Sequence, residues 1–262
     1  MSTGQDAAVG VLRVRVVGPG RAGTSLATAL AAVGWEVELL GRHDAVTSAA
    51  DDVDLLLLCV PDTVVAQVAA QVRPVPATVV AHVAGALGLD VLAPHARCAA
   101  LHPLVSMPTA EVGAQRLDGA WFATAGDPLV QQVVTALGGR SVDVADSDRV
   151  AYHAAAAIAS NHLVALLGQV ERVAAQVGVP LDAYLDLVRG GVESVAALGP
   201  AAALTGPVAR GDVDMVRRHL AALPESERDA YRALAHEVAQ LVGRTREFAF
   251  LLGPAPGRAG PT

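Results

Sequence analysis

The chain contains no lysine: all 19 of its basic residues are arginine. Neither a Schiff-base lysine nor a lysine general acid can operate in it. Arginine stays protonated, so it orients or polarises a group but does not hand over a proton. Aromatic residues make up only 3% of the 262, while hydrophobic residues reach 53%. Alanine, valine and leucine must therefore fill the core. Cysteine is scarce. Cys59 and Cys98 stand apart without metal-ligand spacing, which reads as two reduced thiols in a cytoplasmic protein and no bound metal. No uninterrupted apolar run reaches the ~18 residues that a membrane helix needs. Residues 1–9 lack the basic-then-apolar order of a secretory signal. The net charge is −7 and no basic block stands out, which argues against nucleic acid. The expected partner is a small-molecule substrate, with neither nucleic acid nor membrane.

What is present begins with Gly18-Pro19-Gly20-Arg21-Ala22-Gly23. An apolar run, Val11 to Val17, precedes it and an alanine-rich helical pattern follows. Strand, glycine turn and helix form the context in which G-x-G-x-x-G points to a dinucleotide. Gly18 permits the tight turn, Gly20 lets the backbone approach a pyrophosphate, and Gly23 lets helix and strand pack closely. The N–H groups of Arg21, Ala22 and Gly23 open the helix, where phosphate is favoured.

The second strand, Glu36 to Leu40, indicates which dinucleotide. An NAD site usually places Asp or Glu at its end, to bind the ribose 2′-OH. Here the chain reads Gly41-Arg42-His43. Without that carboxylate, Arg42 can pair with a 2′-phosphate, so NADP is the expected cofactor. Glu38 is a rival acid, discounted because it lies inside the strand. Val60-Pro61, at the end of the next strand, completes the expected cofactor-binding set.

Short apolar runs alternate with helical patterns up to Asp146. Strands are expected at 54–60, 78–83, 99–101, 121–124 and 141–144. Thr63 is the expected cap of a helix through Val72, and 129–137 is the next helix. Beyond Asp146 the strand signals stop. One long helix is expected over 148–177, with others at 180–197, 212–223 and 224–243. The fold class is therefore α/β: an N-terminal Rossmann doubly wound sheet over 11–145, then a smaller all-helical domain over 146–252. Residues 1–10 and 253–262 read as unstructured tails. Alanine stripes favour close helix packing, and the helical domain is expected to complete its core in a homodimer.

Four segments carry a family resemblance: His82-Val83-Ala84-Gly85-Ala86-Leu87, Leu101-His102-Pro103-Leu104, Tyr152-His153-Ala154 with Ser160-Asn161, and Leu204 to Asp212. Together they resemble the Rossmann-like plus DUF2520 family, over about Val11 to Leu251. That family falls within the 6-phosphogluconate dehydrogenase-like and ketopantoate reductase-like superfamily. The resemblance implies an NADP-dependent oxidoreductase with its site in the crevice between two domains. Hydroxyacid dehydrogenase and ketopantoate reductase relatives place a catalytic lysine early in the long helix, where this chain has only Arg149. Ala84 stands where the resemblance implies serine.

Hydride transfer needs a positioned carbonyl or imine and a source of protons. His102 follows a strand and precedes Pro103, and its ordinary pKa suits a general acid. On the long helix, Arg149, His153 and Asn161 share one face, with Tyr152 and Ser160 adjoining. His102, His153 and Asn161 are the expected catalytic residues, the histidines as proton donors and Asn161 orienting the substrate. His82, ending a strand beside Gly85, falls near the nicotinamide or merely caps the strand. His43, His162 and Arg210 read as exposed or structural groups, and Asp212 as a helix cap. The leading substrate is a small keto acid of the ketopantoate kind. The alternatives are a cyclic imine of the pyrroline-5-carboxylate type, or a non-catalytic NADP-binding sensor or assembly protein.

Overall fold

The computed structural model describes residues 10–252; of the expected tails 1–10 and 253–262, all residues but Gly10 lie outside them. Strand β1 (Arg13–Val17) leads into helix α1 (Arg21–Ala32) and strand β2 (Glu36–Leu40). Strand β3 (Leu55–Leu58), helix α2 (Val65–Gln71), and strands β4 (Val79–His82) and β5 (Cys98–Pro103) follow. Helix α3 (Ala110–Leu117), strand β6 (Trp121–Gly126), helix α4 (Leu129–Ala136) and strand β7 (Arg140–Asp143) complete the α/β part. The seven strands form one sheet in the order β2-β1-β3-β4-β5-β6-β7. The first five are mutually parallel; β6 runs antiparallel to β5, and β7 parallel to β6.

The burial follows from the pattern. Leu55 to Leu58 are fully buried, as a strand covered on both faces requires. One face packs α1, α3 and α4 through Leu26, Leu30, Leu117, Val130 and Phe122. The other packs α2 and its flanking loops through Val65, Ala69, Val72 and Leu92. Two expectations fail locally. Thr63 does not cap α2; it lies within a 3-10 turn, Asp62–Val64, that precedes the helix. Helix α3 was not anticipated, although its cap is regular: Thr109 Oγ1 accepts from the Val112 N–H at 3.3 Å.

The described residues divide into two compact units, with the boundary between Ser160 and Asn161. The change of texture at Asp146 comes earlier, because helix α5 (Arg149–Ala157) clusters with the first unit. The second unit is helical: α6 (Leu163–Ala175), α7 (Asp182–Leu198), α8 (Pro200–Ala203), α9 (Pro207–Arg210), α10 (Val213–Ala222), α11 (Glu225–Leu241) and α12 (Thr245–Leu252). Its core gathers Val208, Val216, Leu220, Ala239 and Phe248. Asp212 does cap α10, accepting from the Met215 N–H at 3.0 Å. Glu227 joins α6 to α11 by pairing with Arg172 at 2.6 Å.

The long helix departs from a uniform α-helix. Residues Ile158–His162 form a π-turn between α5 and α6, which resets the face on which later side chains emerge. The run Asp146–Ala175 has 30 residues and a mean hydropathy of 1.4 in its most apolar window, so by length and composition it is apolar enough to cross a membrane. The expectation that no segment meets that mark rested on uninterrupted apolar runs; alanines between isolated polar residues satisfy it on average.

Candidate functional site

The strand order supplies the first half of the site. From β1 the chain goes to β2 on one side, then to β3 on the other. The switch point lies between the carboxyl ends of β1 and β3, where open α/β sheets bind ligands. Gly18 sits at that end with φ +108, and a Cβ there would come within 2.5 Å of the Cys59 carbonyl oxygen. Gly23 is packed so closely that a Cβ would run into the Gly18 carbonyl. Gly20 faces open space, with no atom within 4 Å of a Cβ built on it. Helix α1 starts at Arg21 with no side-chain cap and no acidic residue in its first turn. The N–H groups of Arg21, Ala22 and Gly23 are thus available to an anion beside Gly20. Burial pushes the Cys59 thiol beneath the turn up to about 12, so it is inert.

Ligand clefts run to about 300–1,000 Å³, and the one here measures ≈ 640 Å³. Gly18, Arg42 and Val60 line it; Pro61 instead opens the 3-10 turn that follows β3. The rival acid Glu38 is engaged elsewhere, paired at 2.7 Å with Arg15. The loop does hold a carboxylate, which the sequence reading treated as missing. Asp44 lines the same cleft and accepts from the Gly41 N–H at 2.6 Å. That bond makes it the clasp of the 41–44 loop, and the Gly-x-x-Asp spacing was the available signal.

The second half is a polar cluster at the carboxyl ends of β4 and β5. His82 ends β4, His102 lies near the end of β5, and α5 contributes Arg149, Tyr152 and His153. The Tyr152 Oη lies 2.6 Å from His102 Nδ1, with the rings edge to face. The His153 ring stands 5.9 Å from that of His102. Gly85 is pressed against both imidazoles: a Cβ there would strike His153 Nδ1 and lie 3.0 Å from His102 Nε2. That is the close approach for which Gly85 is needed. His82 is buried, with Nε2 3.2 Å from the Gly88 carbonyl and Nδ1 without a hydrogen-bond partner.

Burial is also what sets the proton chemistry. It lowers His102 to about 4, helped by the neighbouring His153, Arg149 and His82. His102 is therefore neutral at pH 7. The expected role of an imidazolium acid, based on its ordinary pKa, is corrected accordingly. Burial raises Tyr152 to about 12, opposed by the Arg149 charge, so Tyr152 keeps its proton. His82 is lowered too, chiefly by burial. Arg149 itself is fully buried.

Of the three expected catalytic residues, the structure brings His102 and His153 together. Asn161 belongs to the second unit, exposed within the π-turn. Sequence reasoning grouped Tyr152 with an adjoining face; the structure pairs it directly with His102. Arg149, Tyr152 and His153 are spaced i, i+3, i+4 on one helix, and that spacing was the signal for a common cluster. Arg210 is exposed, as read. Among the described residues no group of His, Cys, Asp or Glu is arranged to hold a metal ion.

A glycine turn at a switch point and a nucleotide-sized cleft, with a part-buried His–Tyr pair at the same end of the strands, define a nucleotide-binding α/β protein with an adjoining polar site. Two family models match the chain: Rossmann-like domain over residues 40–108, and domain of unknown function DUF2520 over 122–238. The chain thus resembles Rossmann-like domains over the first stretch and DUF2520 domains over the second. The glycine turn precedes the matched span, so its assignment rests on geometry. Solved structures share the fold. An inferred NADP oxidoreductase from Bacteroides fragilis has a TM-score of 0.69 at 17% identity, over 88% of this chain and 99% of the other. Pyrroline carboxylate reductase from Plasmodium falciparum, with NADP bound, has a TM-score of 0.59 at 13% identity, over 89% and 100%. A reductive aminase from Aspergillus terreus, in complex with NADPH4, cyclohexanone and allyl amine, has 0.57 at 16%, over 93% and 92%. No curated protein matches.

Proposed function

We propose that the protein is an NADP-dependent oxidoreductase that reduces the C=N or C=O bond of a small molecule. The observation that carries this reading is the Tyr152–His102 pair, at 2.6 Å, at the same carboxyl end of the parallel strands as the glycine turn. The chain fits the cofactor: Gly20 leaves room for a pyrophosphate, the first turn of α1 offers its N–H groups, and Arg42 lines the cleft for a 2′-phosphate. NADPH, when bound, supplies the hydride. The chain must supply the proton. With His102 in its Nδ1–H tautomer, that N–H donates to Tyr152 Oη and leaves the phenolic O–H to face the substrate. The His102 hydrogen bond and the Arg149 charge both favour the phenolate left behind. A proton source thus exists without lysine, which removes the main support for a non-catalytic sensor.

The names of two fold neighbours favour a C=N bond, cyclic or formed from ketone and amine, over a ketopantoate-like keto acid. The reading is tested by following NADPH consumption against cyclic imines and 2-keto acids. Turnover of an imine supports it; tight NADPH binding with no turnover across both panels refutes it.

We also propose a cytoplasmic homodimer formed through the helical unit. Leu163, Leu166, Val188, Val192 and Val195 line an apolar groove between α6 and α7 of ≈ 370 Å³. Val164 on α6 and Leu187 on α7 are also exposed, at 69% and 72%. Apolar surface of this kind marks an interface. A second copy presents the same face about a two-fold axis, and Gly190 and Gly191, open on their Cβ sides, permit close approach.

A further inference from the structure

We propose that Arg149 is the receptor for a carboxylate group on the substrate. Its side chain is fully buried. Nε reaches Asp146 Oδ1 only at 3.3 Å, and neither Nη1 nor Nη2 has a hydrogen-bond partner. Asp146 is a divided counter-ion: its other oxygen accepts from the Leu89 N–H at 2.9 Å, and its side chain is 47% exposed. The titratable groups that feel the Arg149 charge are His82, His102 and Tyr152. None of them is an anion at neutral pH, so the cluster holds a buried cation facing neutral groups.

A buried guanidinium with its two terminal nitrogens unsatisfied is costly to keep. A planar carboxylate satisfies both nitrogens at once, in the two-point geometry that arginine provides and lysine does not. Arg149 and Tyr152 are three residues apart on one helical face, so a carboxylate held by Arg149 lies beside the group that gives the proton. The substrate is then an acid with its C=N or C=O carbon adjacent to the carboxylate. The cofactor's phosphates have their own place at the glycine turn, so Arg149 is not needed for them. This inference rests on the reductase reading and deepens it. Of the two named imine chemistries, it selects the carboxylated kind.

The test uses the full chain loaded with NADP⁺ and titrated calorimetrically with matched probes: L-proline and pyrrolidine, L-pipecolate and piperidine, pyruvate and acetone. At least one acid is expected to bind about tenfold or more tighter than its neutral partner. Arg149→Met should erase that preference without changing NADP⁺ affinity. Its melting temperature without ligand should be no lower than that of the wild type, because an unpaired buried charge has been removed. A merely structural arginine would give the opposite shift. If Arg149→Met does not fold, Arg149→Lys decides: it keeps the charge, and it should weaken the acid but not its neutral partner. No preference in any pair, or a preference that survives in the folded variants, overturns the proposal. Hydride transfer from NADPH is read separately. Acid preference without any hydride transfer upholds Arg149 and sinks the reductase reading alone.

Discussion

Replacing Tyr152 by Phe should abolish most imine reduction while leaving the fold and the cofactor site intact. The hydroxyl makes one hydrogen bond, 2.6 Å to His102 Nδ1, and lies in a half-buried position. Removing it costs stability about one neutral hydrogen bond, roughly 0.5–1.5 kcal/mol. The catalytic cost is larger. General acid catalysis contributes about 10²–10⁴-fold, or roughly 3–5.5 kcal/mol of barrier. The pH profile of the wild type provides a second check. With His102 at about 4 and Tyr152 at about 12, kcat should be flat across neutral pH. The control is chemical. An N-methylated cyclic iminium ion needs a hydride but no proton, so wild type and Tyr152→Phe should reduce it at similar rates. Single-turnover measurements at saturating NADPH compare the two substrates. An equal loss on imine and iminium would show that Tyr152 positions the substrate, and the proton-donor assignment would fail.

Three further outcomes follow from the structure. Arg42→Ala should weaken NADPH by about ten- to a hundredfold, and NADH hardly at all, in fluorescence titrations, since a charge-assisted contact to phosphate is worth roughly 1.5–3 kcal/mol; a wild type that binds both equally would contradict the NADP assignment. Stability should fall as pH drops from about 6.5 towards 4. His102 has a lower pKa folded than unfolded, so the unfolded chain takes up the extra proton in that window, worth roughly 3 kcal/mol for a shift from 6.5 to about 4. His102→Leu should flatten the slope in urea titrations across that window. Light scattering should find a dimer, and Val164→Glu with Leu187→Glu should give monomers of unchanged helicity; a monomeric wild type would refute the proposed interface.

The framework was legible because its signals are local and redundant. Four consecutive leucines bounded by turns fit a strand covered on both faces, and Gly18 and Gly23 each mark a backbone constraint that no other residue satisfies as well, while Gly20 leaves open space beside the turn. The polar cluster was legible only in part, because its chemistry is set by burial and by partners distant in sequence. His102 reads as a near-neutral acid until its surroundings are known; desolvation then lowers it to about 4, and its Nδ1 meets the hydroxyl of Tyr152, 50 positions away. Helical spacing alone assigned Asn161 a face shared with His153; Asn161 falls within the π-turn at 158–162, a change of periodicity that no composition cue announces. Arg149 is the plainest instance. From sequence it was the nearest cation to a missing lysine, a residue too basic to give up a proton. Its fully buried, half-partnered fork makes it a group that holds charge in place instead. Each of these departures lies at the site, because a binding cluster is where a chain keeps polar groups that its own fold does not satisfy.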